Sequence, residues 1–275
     1  MSTSFGRGLH AAPGQSVSAS AYDRYLGRWS RLSVPDVLAA AKLAQGCRVL
    51  DVATGTGEAA AIAVPIVGDT GFVVGADISL EMVKSARVRL NEPLYWPVNA
   101  DGQALPFMDD AFDAVICQLG LQFFPNPAAG LSEFRRVVRA GGIVAICVNA
   151  TSDRLPMWGN LADAMDRFLT QQQRNVLALS WSLADPRLLE GLFSDAGFQD
   201  IRVEQIKREG SVSSFDDYWA PIEEGVGQIP QAYRSLDAAD RSSVREEVRA
   251  RLARYESADG RLTMGVEMLI GSGRA

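Results

Sequence analysis

Arg48-Val49-Leu50-Asp51-Val52-Ala53-Thr54-Gly55-Thr56-Gly57-Glu58 is a short apolar run that ends in a carboxylate and breaks into a glycine-rich turn. Ala59-Ala60-Ala61-Ile62 follows and reads as the start of a helix. A strand, a tight glycine turn and a helix together bring backbone close to a nucleotide-like ligand. The charge of this turn is informative. Asp51 closes the strand and Glu58 opens the helix, so the loop sits between two acids. A phosphate prefers bare N–H groups and a cation at such a place. A ligand with an ammonium or sulfonium, and no phosphate, suits these residues better.

Outward from this turn, apolar runs alternate with helical patterns. Strands are expected at Cys47–Val52, Phe72–Asp77, Leu94–Val98, Ala114–Gln118 and Ile143–Val148, the last entered through Gly141-Gly142. Helices are expected from Glu58, Leu80 and Ala128, and another before the first strand, started by Ser33 and Pro35. Asp185-Pro186 reads as a cap and first-turn proline, Gly197 as a stop, Ile201–Ile206 as a sixth strand and Met264–Ile270 as the last. Such alternation implies an α/β fold with a mainly parallel sheet covered on both faces.

Two stretches fall outside the alternation. Thr151–Leu183 carries Met157, Trp158, Leu161, Met165 and Phe168 at helical spacing. Phe215–Tyr255 carries Tyr218, Trp219 and a stripe of Val244, Val248, Leu252 and Tyr255. They are either ordinary core-facing helices or a cap over a pocket. The expected organisation is an arm and lid over 1–35, a ligand-binding core over 36–150, and a helical cap insertion over 151–184. A core helix and strand over 185–210, a second helical insertion over 211–260 and a final strand over 261–275 complete it.

Composition narrows the function classes. With 275 residues, 47% hydrophobic and 22% charged, the chain can bury one sizeable core with additions. The net charge of −6, without a Lys/Arg cluster, argues against nucleic-acid and anionic-membrane partners. The first twenty residues read as a mobile arm and not a signal peptide, and no apolar run is long enough for a membrane span, so a cytoplasmic location is expected. Cys47, Cys117 and Cys147 lack metal-ligand spacing and lie in or beside apolar runs, which suits small core residues. His10, in the arm, is the single histidine, so neither a zinc site nor a histidine-based triad is expected.

Four features stand at successive strand ends. They are the Asp51–Gly57 turn, Gly75-Ala76-Asp77-Ile78-Ser79, Asn99-Ala100-Asp101-Gly102-Gln103 and Cys117-Gln118-Leu119-Gly120. Asp77 can accept both hydroxyls of a ribose, Asp101 an adenine amine, and a backbone carbonyl near Gln118 an ammonium. A lone acid at a strand end is more often a helix cap, and Gly55-x-Gly57-x-x-Ala60 also suits a dinucleotide fold. The four in order are far more specific.

At these residues the chain resembles the class I S-adenosylmethionine-dependent methyltransferases, in the branch that includes the ubiquinone and menaquinone biosynthetic enzymes. The matching segments are Val49–Gly57, Gly75–Ser79, Ala100–Phe107, Phe112–Val115 and Phe134–Gly142. The resemblance implies a seven-stranded Rossmann-like sheet with an antiparallel last strand, and S-adenosylmethionine as methyl donor with S-adenosylhomocysteine as product. It carries Asp77 to the ribose, Asp101 to the adenine and Gly55–Gly57 to the methionine moiety, with Ile78 and Met82 flanking the adenine. The expected donor site therefore comprises Asp51, Ala53, Thr54, Gly55, Thr56, Gly57, Asp77, Ile78, Met82, Ala100, Asp101, Gly102, Gln103 and Gln118.

Tyr22-Asp23-Arg24-Tyr25-Leu26-Gly27-Arg28-Trp29-Ser30 is similar to the aromatic-basic leading segment of many small-molecule members. It is either a helix that packs Tyr25 and Trp29 on the domain or, the slightly favoured reading, a lid, with Arg28 near the donor carboxylate and Tyr22 or Tyr25 near the sulfonium. Tyr22, Trp29, Gln122, Phe123, Trp158 and Trp219 form the expected acceptor site. The residues after the fourth strand, Gln118-Leu119-Gly120-Leu121, are not the Asn/Asp-Pro-Pro-aromatic run of base and amide methyltransferases. A small, partly apolar acceptor is expected instead, methylated on O, N, C or S. Two other readings stand beside this one: a protein of the same fold that binds the donor but catalyses a reaction such as a cyclisation, and an NAD-dependent oxidoreductase. Asp51 before the glycines and the lack of a Tyr-x-x-x-Lys pair weigh against the second.

Overall fold

The computed structural model describes residues 22–225 and 227–275, except the side chain of Asp23. The expected arm over the first twenty residues, with His10, lies outside the described residues. Two compact units emerge: an α/β unit of residues 33–149, 183–206 and 268–275, and a helical unit of residues 22–32, 150–182 and 207–267. Among the described residues no helix is long and apolar enough to cross a membrane.

The seven strands are β1 Arg48–Val52, β2 Phe72–Asp77, β3 Tyr95–Asn99, β4 Phe112–Gln118, β5 Val138–Asn149, β6 Gln199–Val212 and β7 Leu262–Arg274. Their order is β3-β2-β1-β4-β5-β7-β6. β1 pairs in parallel with both β2 and β4, and β7 runs antiparallel to β5, with Cys147 opposite Ile270. The strand order reverses between β1 and β4, and open α/β sheets bind ligands at the carboxyl ends of strands at such a switch point. The central strands are apolar on both faces because helices cover both: Val49, Leu50, Val115, Ile116 and Ile146 are fully buried. β5, β6 and β7 extend beyond the expected strands. Residues 207–212 and 262–267 group with the helical unit.

The helices of the α/β unit are α1 Val34–Ala40, α2 Glu58–Val67, α3 Leu80–Arg89, α4 Pro127–Val137 and α7 Pro186–Asp195. Their starts follow capping chemistry. Asn126 accepts from Ala129 N at 3.1 Å ahead of Pro127, and Asp185 accepts from Arg187 N at 2.9 Å ahead of Pro186. Ser33 is an exception to the expected cap. It precedes α1, but its side chain makes no cap bond and instead meets Gln118 Nε2 at 2.8 Å and Cys147 Sγ at 3.5 Å. The hydroxyl ties α1 to the ends of β4 and β5.

Asp113, at the start of β4, holds three strands in register. Its Oδ2 accepts from Arg48 N at 2.8 Å and Arg48 Nε at 3.0 Å, and its Oδ1 from Arg139 Nε at 2.6 Å. Partial burial raises this carboxyl, but the Arg48 and Arg139 bonds outweigh it and hold the group down to about 2.

The helical unit contains α5 Pro156–Met165, α6 Gln171–Ala178, α8 Phe215–Glu224, α9 Gln228–Arg234 and α10 Ala238–Leu252. α5 packs on α10, whose Val244, Val248 and Leu252 stripe is fully buried. The leading segment, a π-type turn over Asp23–Gly27 and a short helix Arg28–Ser30, packs on α8. Arg24 pairs with Glu224 at 2.6 Å and Arg28 with Asp217 at 3.1 Å.

Candidate functional site

The α/β unit brings Asp51, Gly55 and Asp77 together at the ends of β1 and β2. Asp51 is fully buried. Its Oδ2 accepts the Thr54 hydroxyl at 2.7 Å, and its Oδ1 has no hydrogen-bond partner. Burial lifts the carboxyl from 3.8 to about 7; the Thr54 bond opposes the lift, Asp77 adds to it, and the Ala60 N–H pulls weakly toward the charged form. A buried carboxylate oxygen without a donor is costly unless a ligand supplies one. The ammonium of S-adenosylmethionine supplies both a donor and a charge, so the residues fit that group.

Thr54 is itself held from behind. Its oxygen lies 3.3 Å from the Tyr95 hydroxyl on β3. Thr54 gives its proton to Asp51, so Tyr95 is the donor to Thr54. Burial keeps Tyr95 protonated by pushing its pKa up. Gly75 makes this possible: a Cβ there would strike the Tyr95 hydroxyl and come within 2.9 Å of Thr54 Oγ1. This relay was not read from the sequence, where Tyr95 looked like an ordinary strand residue.

Asp77 closes β2 and binds both neighbouring turns. Its Oδ2 accepts from Gly55 N and its Oδ1 from Ser79 N, each at 2.9 Å. These two backbone bonds orient the carboxylate. Ser79 caps α3 by accepting from Met82 N, which places Met82 in the first turn, and Ile78 lies between Asp77 and the cap. Asn99 Nδ2 donates to the Asp77 and Ile78 carbonyls at 2.9 Å, tying the end of β3 to this turn.

The two loop glycines differ. Gly55 has φ +57 and offers its N–H to Asp77. Gly57 has φ +85, and a Cβ there would run into Leu90 on the side of α3. A side chain at Gly57 is therefore expected to strain the fold first, the backbone alternative to blocked ligand approach. Thr56 also faces that side, accepting from Arg89 Nη1 at 3.2 Å. Glu58 is ion-paired with Arg89. The loop thus does not lie between two bare acids: Arg89 neutralises the second, while Asp51 keeps a partnerless buried oxygen.

The third strand end carries Ala100 to Gln103. Asp101 Oδ1 accepts from Gln103 N at 2.8 Å, and Gln103 Oε1 accepts from Asn126 N at 2.8 Å. Gly102 is buried, and a Cβ there would overlap Phe124 and approach Val52 within 2.9 Å, so this glycine serves loop packing. The loop is clamped from α4. Arg136 donates to the Leu105 carbonyl at 2.9 Å, the Phe107 carbonyl at 2.7 Å and Asp109 at 2.9 Å, while Glu133 accepts from Leu105 N at 2.8 Å. Arg136 lies in the Phe134-Arg135-Arg136 run that supported only the resemblance; no local pattern shows what it holds. Arg136→Ala is expected to lower S-adenosylhomocysteine affinity several-fold, on the order of one or two hydrogen bonds' worth, without touching the ligand. Hydrogen exchange should speed up over residues 100–109. Unchanged exchange there would contradict the clamp.

The fourth strand end is a strained turn. Ala53 after β1 and Leu119 after β4 both have positive φ, +57 and +55, and Leu119 N donates to the Cys147 carbonyl at 2.9 Å. The Gln118 side chain is engaged by Ser33. Gln122 is buried, accepting from Asn149 N at 2.9 Å, and Phe123 is half-buried. Burial pushes both thiols up, Cys147 to about 12 and Cys117 further, so neither is a thiolate.

The remaining expected residues, Tyr22, Tyr25, Arg28, Trp29, Trp158 and Trp219, belong to the helical unit. Trp29 packs against Gly210, where a Cβ would meet its ring. Trp219 stacks on Phe215 at 5.4 Å, meets Tyr233 edge-on at 5.2 Å and donates to Glu223 Oε1 at 2.9 Å. It is a core anchor of the unit. Tyr22 is half-buried, and Tyr25 and Trp158 are each 3% exposed.

Residues 50–146 match the family described as methyltransferase domain. A ubiquinone/menaquinone biosynthesis C-methyltransferase from Coxiella burnetii is 31% identical over 173 residues, covering 58% of this chain and 69% of the relative. A demethylmenaquinone methyltransferase from Staphylococcus epidermidis is 30% identical over 181 residues, covering 61% and 74%. The crystal structure of a candidate methyltransferase from Bacillus halodurans has the same fold, with a TM-score of 0.59 at 20% identity over 88% of this chain and 97% of that one. Strand order, the carboxylates at successive strand ends and these relatives agree: the chain belongs to the class I S-adenosylmethionine-dependent methyltransferases.

Proposed function

We propose that this methyltransferase acts on a small, neutral, partly apolar ring acceptor of the hydroquinone type. We further propose that Asp51, Gly55, Asp77 and Asp101 hold the donor. The observation that carries the donor assignment is the partnerless buried Oδ1 of Asp51 beside the Gly55 turn. Asp51 would take the ammonium, Asp77 the ribose hydroxyls and Asp101 the adenine amine. When bound, S-adenosylmethionine supplies an electrophilic methyl group and leaves as S-adenosylhomocysteine.

The chain's own groups limit the acceptor. No histidine is among the described residues, and the buried thiols of Cys117 and Cys147 stay protonated. Burial likewise keeps Tyr25 and Tyr218 protonated. An acceptor that brings its own nucleophilicity suits these residues, and alignment can supply much of the acceleration, about 7–11 kcal/mol in favourable cases. An electron-rich ring meets that need, and the names of the quinone-biosynthetic relatives support the same class. The test is incubation with methyl-labelled S-adenosylmethionine and 1,4-dihydroxynaphthalene under reducing conditions. Equimolar S-adenosylhomocysteine and methylated ring are expected. Donor binding with no methyl transfer to the ring would overturn the acceptor assignment.

A further inference from the structure

Among the described residues of the helical unit, four polar side-chain atoms are buried without a partner: Tyr25 Oη, Trp158 Nε1, and both Gln228 Nε2 and Gln228 Oε1. The three residues are 3%, 3% and 7% exposed. They come from elements that pack on one another. Gly227, next to Gln228, lies against the Tyr25 ring, with a Cβ position 3.6 Å from its Cε1. Tyr25 feels the Tyr218 hydroxyl electrostatically, and that hydroxyl donates at 2.6 Å to the carbonyl of Met157, the neighbour of Trp158. α9, which begins with Gln228, packs on both α5 and α8.

Buried polar groups are almost always paired, and an unpaired amide costs about 1–3 kcal/mol. Gln228 leaves both ends of its amide unpaired at once. In the same unit Arg24 is paired with Glu224 at 2.6 Å and Arg28 with Asp217 at 3.1 Å. The unpaired set contains donors and an acceptor and no net charge.

We propose that Gln228, with Tyr25 and Trp158, is the specificity-determining set that reads the polar end of a neutral acceptor. Gln228 Nε2 and Trp158 Nε1 donate to a ring oxygen, and Gln228 Oε1 accepts from a ring hydroxyl. An anionic acceptor would bring a charge that none of these three neutral side chains matches, so the set disfavours carboxylated or phosphorylated compounds. The proposal rests on the reading of the acceptor as a neutral ring compound but not on methyl transfer itself. Gln228 escaped the sequence reading because a lone glutamine after Gly227 has no periodic or motif signal.

The test is equilibrium dialysis of the full chain, without donor, against 1-naphthol, naphthalene and 1-naphthoate. Wild type is expected to bind 1-naphthol roughly tenfold more tightly than naphthalene, the equivalent of one well-made hydrogen bond, and to reject 1-naphthoate. Gln228→Leu should erase the preference for 1-naphthol, keep S-adenosylhomocysteine affinity, and melt no lower than wild type because it removes an unpaired buried amide. If Gln228→Leu fails to fold, Trp158→Phe, which deletes one donor and keeps the ring, should reduce the preference. A wild type that does not discriminate between the naphthalenes, or a folded variant that keeps the full preference, overturns the proposal. Discrimination that persists in a protein that never methylates a ring would leave this inference standing and remove the reaction reading instead.

Discussion

Replacing Asp77 with alanine is expected to lower S-adenosylhomocysteine affinity by at least about tenfold while the sheet stays folded, since each hydrogen bond to a charged acceptor contributes roughly 1.5–3 kcal/mol. The carboxylate is pinned by Gly55 N and Ser79 N, each at 2.9 Å, so its orientation is set before a ligand arrives. Removing it would lose the proposed ribose acceptor and loosen the glycine turn together. Asp77→Asn, which keeps a carbonyl for one of the two backbone donors, should lose less. Calorimetry on both variants with circular dichroism as a fold control is the check. Unaltered binding by a folded Asp77→Ala protein would remove this residue from the donor site.

Asp51→Asn should have a larger and opposite pair of effects. In the free protein the Asp51 carboxyl sits at about 7, against 3.8 when unburied. Because the folded value is raised, the folded state keeps its proton where the unfolded chain has lost it. The associated stability is complete below about pH 4 and is lost as pH rises through 7. Asparagine does not ionise and can still accept from Thr54. The variant should therefore match wild type near pH 4, overtake it between pH 4 and 7, and exceed it at pH 8 by on the order of a few kcal/mol. Ligand binding should move the other way, because the ammonium loses its counter-charge and affinity falls at least about tenfold. Thermal melts across pH, with and without S-adenosylhomocysteine, separate the two effects. A variant less stable than wild type at pH 8 would mean that Asp51 is satisfied in the free protein.

The parts of the proposed site whose local structure was legible in sequence are those written into one short segment. Asp51 to Gly57, Asp77 with its Ser79 cap, and Asp101 to Gln103 each sit where a strand must end and a helix or loop must begin. Local turn chemistry there is strong enough to be read without tertiary knowledge. What escaped is what side chains do across long separations. Arg89 neutralises Glu58, Arg136 grips the loop that carries Asp101, and Ser33 leaves its cap position for Gln118. Each pairing is decided by which elements pack together, and none has a local signal. The Phe215–Tyr255 stretch shows the same limit: its aromatic content was plain, but α8 is parted from α9 by Gly225 and Gly227, whose positive φ breaks the run, and α10 begins at the Asp237 cap.

The most direct measurement of the central claim is isothermal titration of the full chain at pH 8 with S-adenosylhomocysteine and, separately, with NAD. The account predicts one-to-one binding of S-adenosylhomocysteine in the micromolar range, weakened in Asp51→Asn and Asp77→Ala, and no heat with NAD. Tight NAD binding with no response to S-adenosylhomocysteine would contradict it.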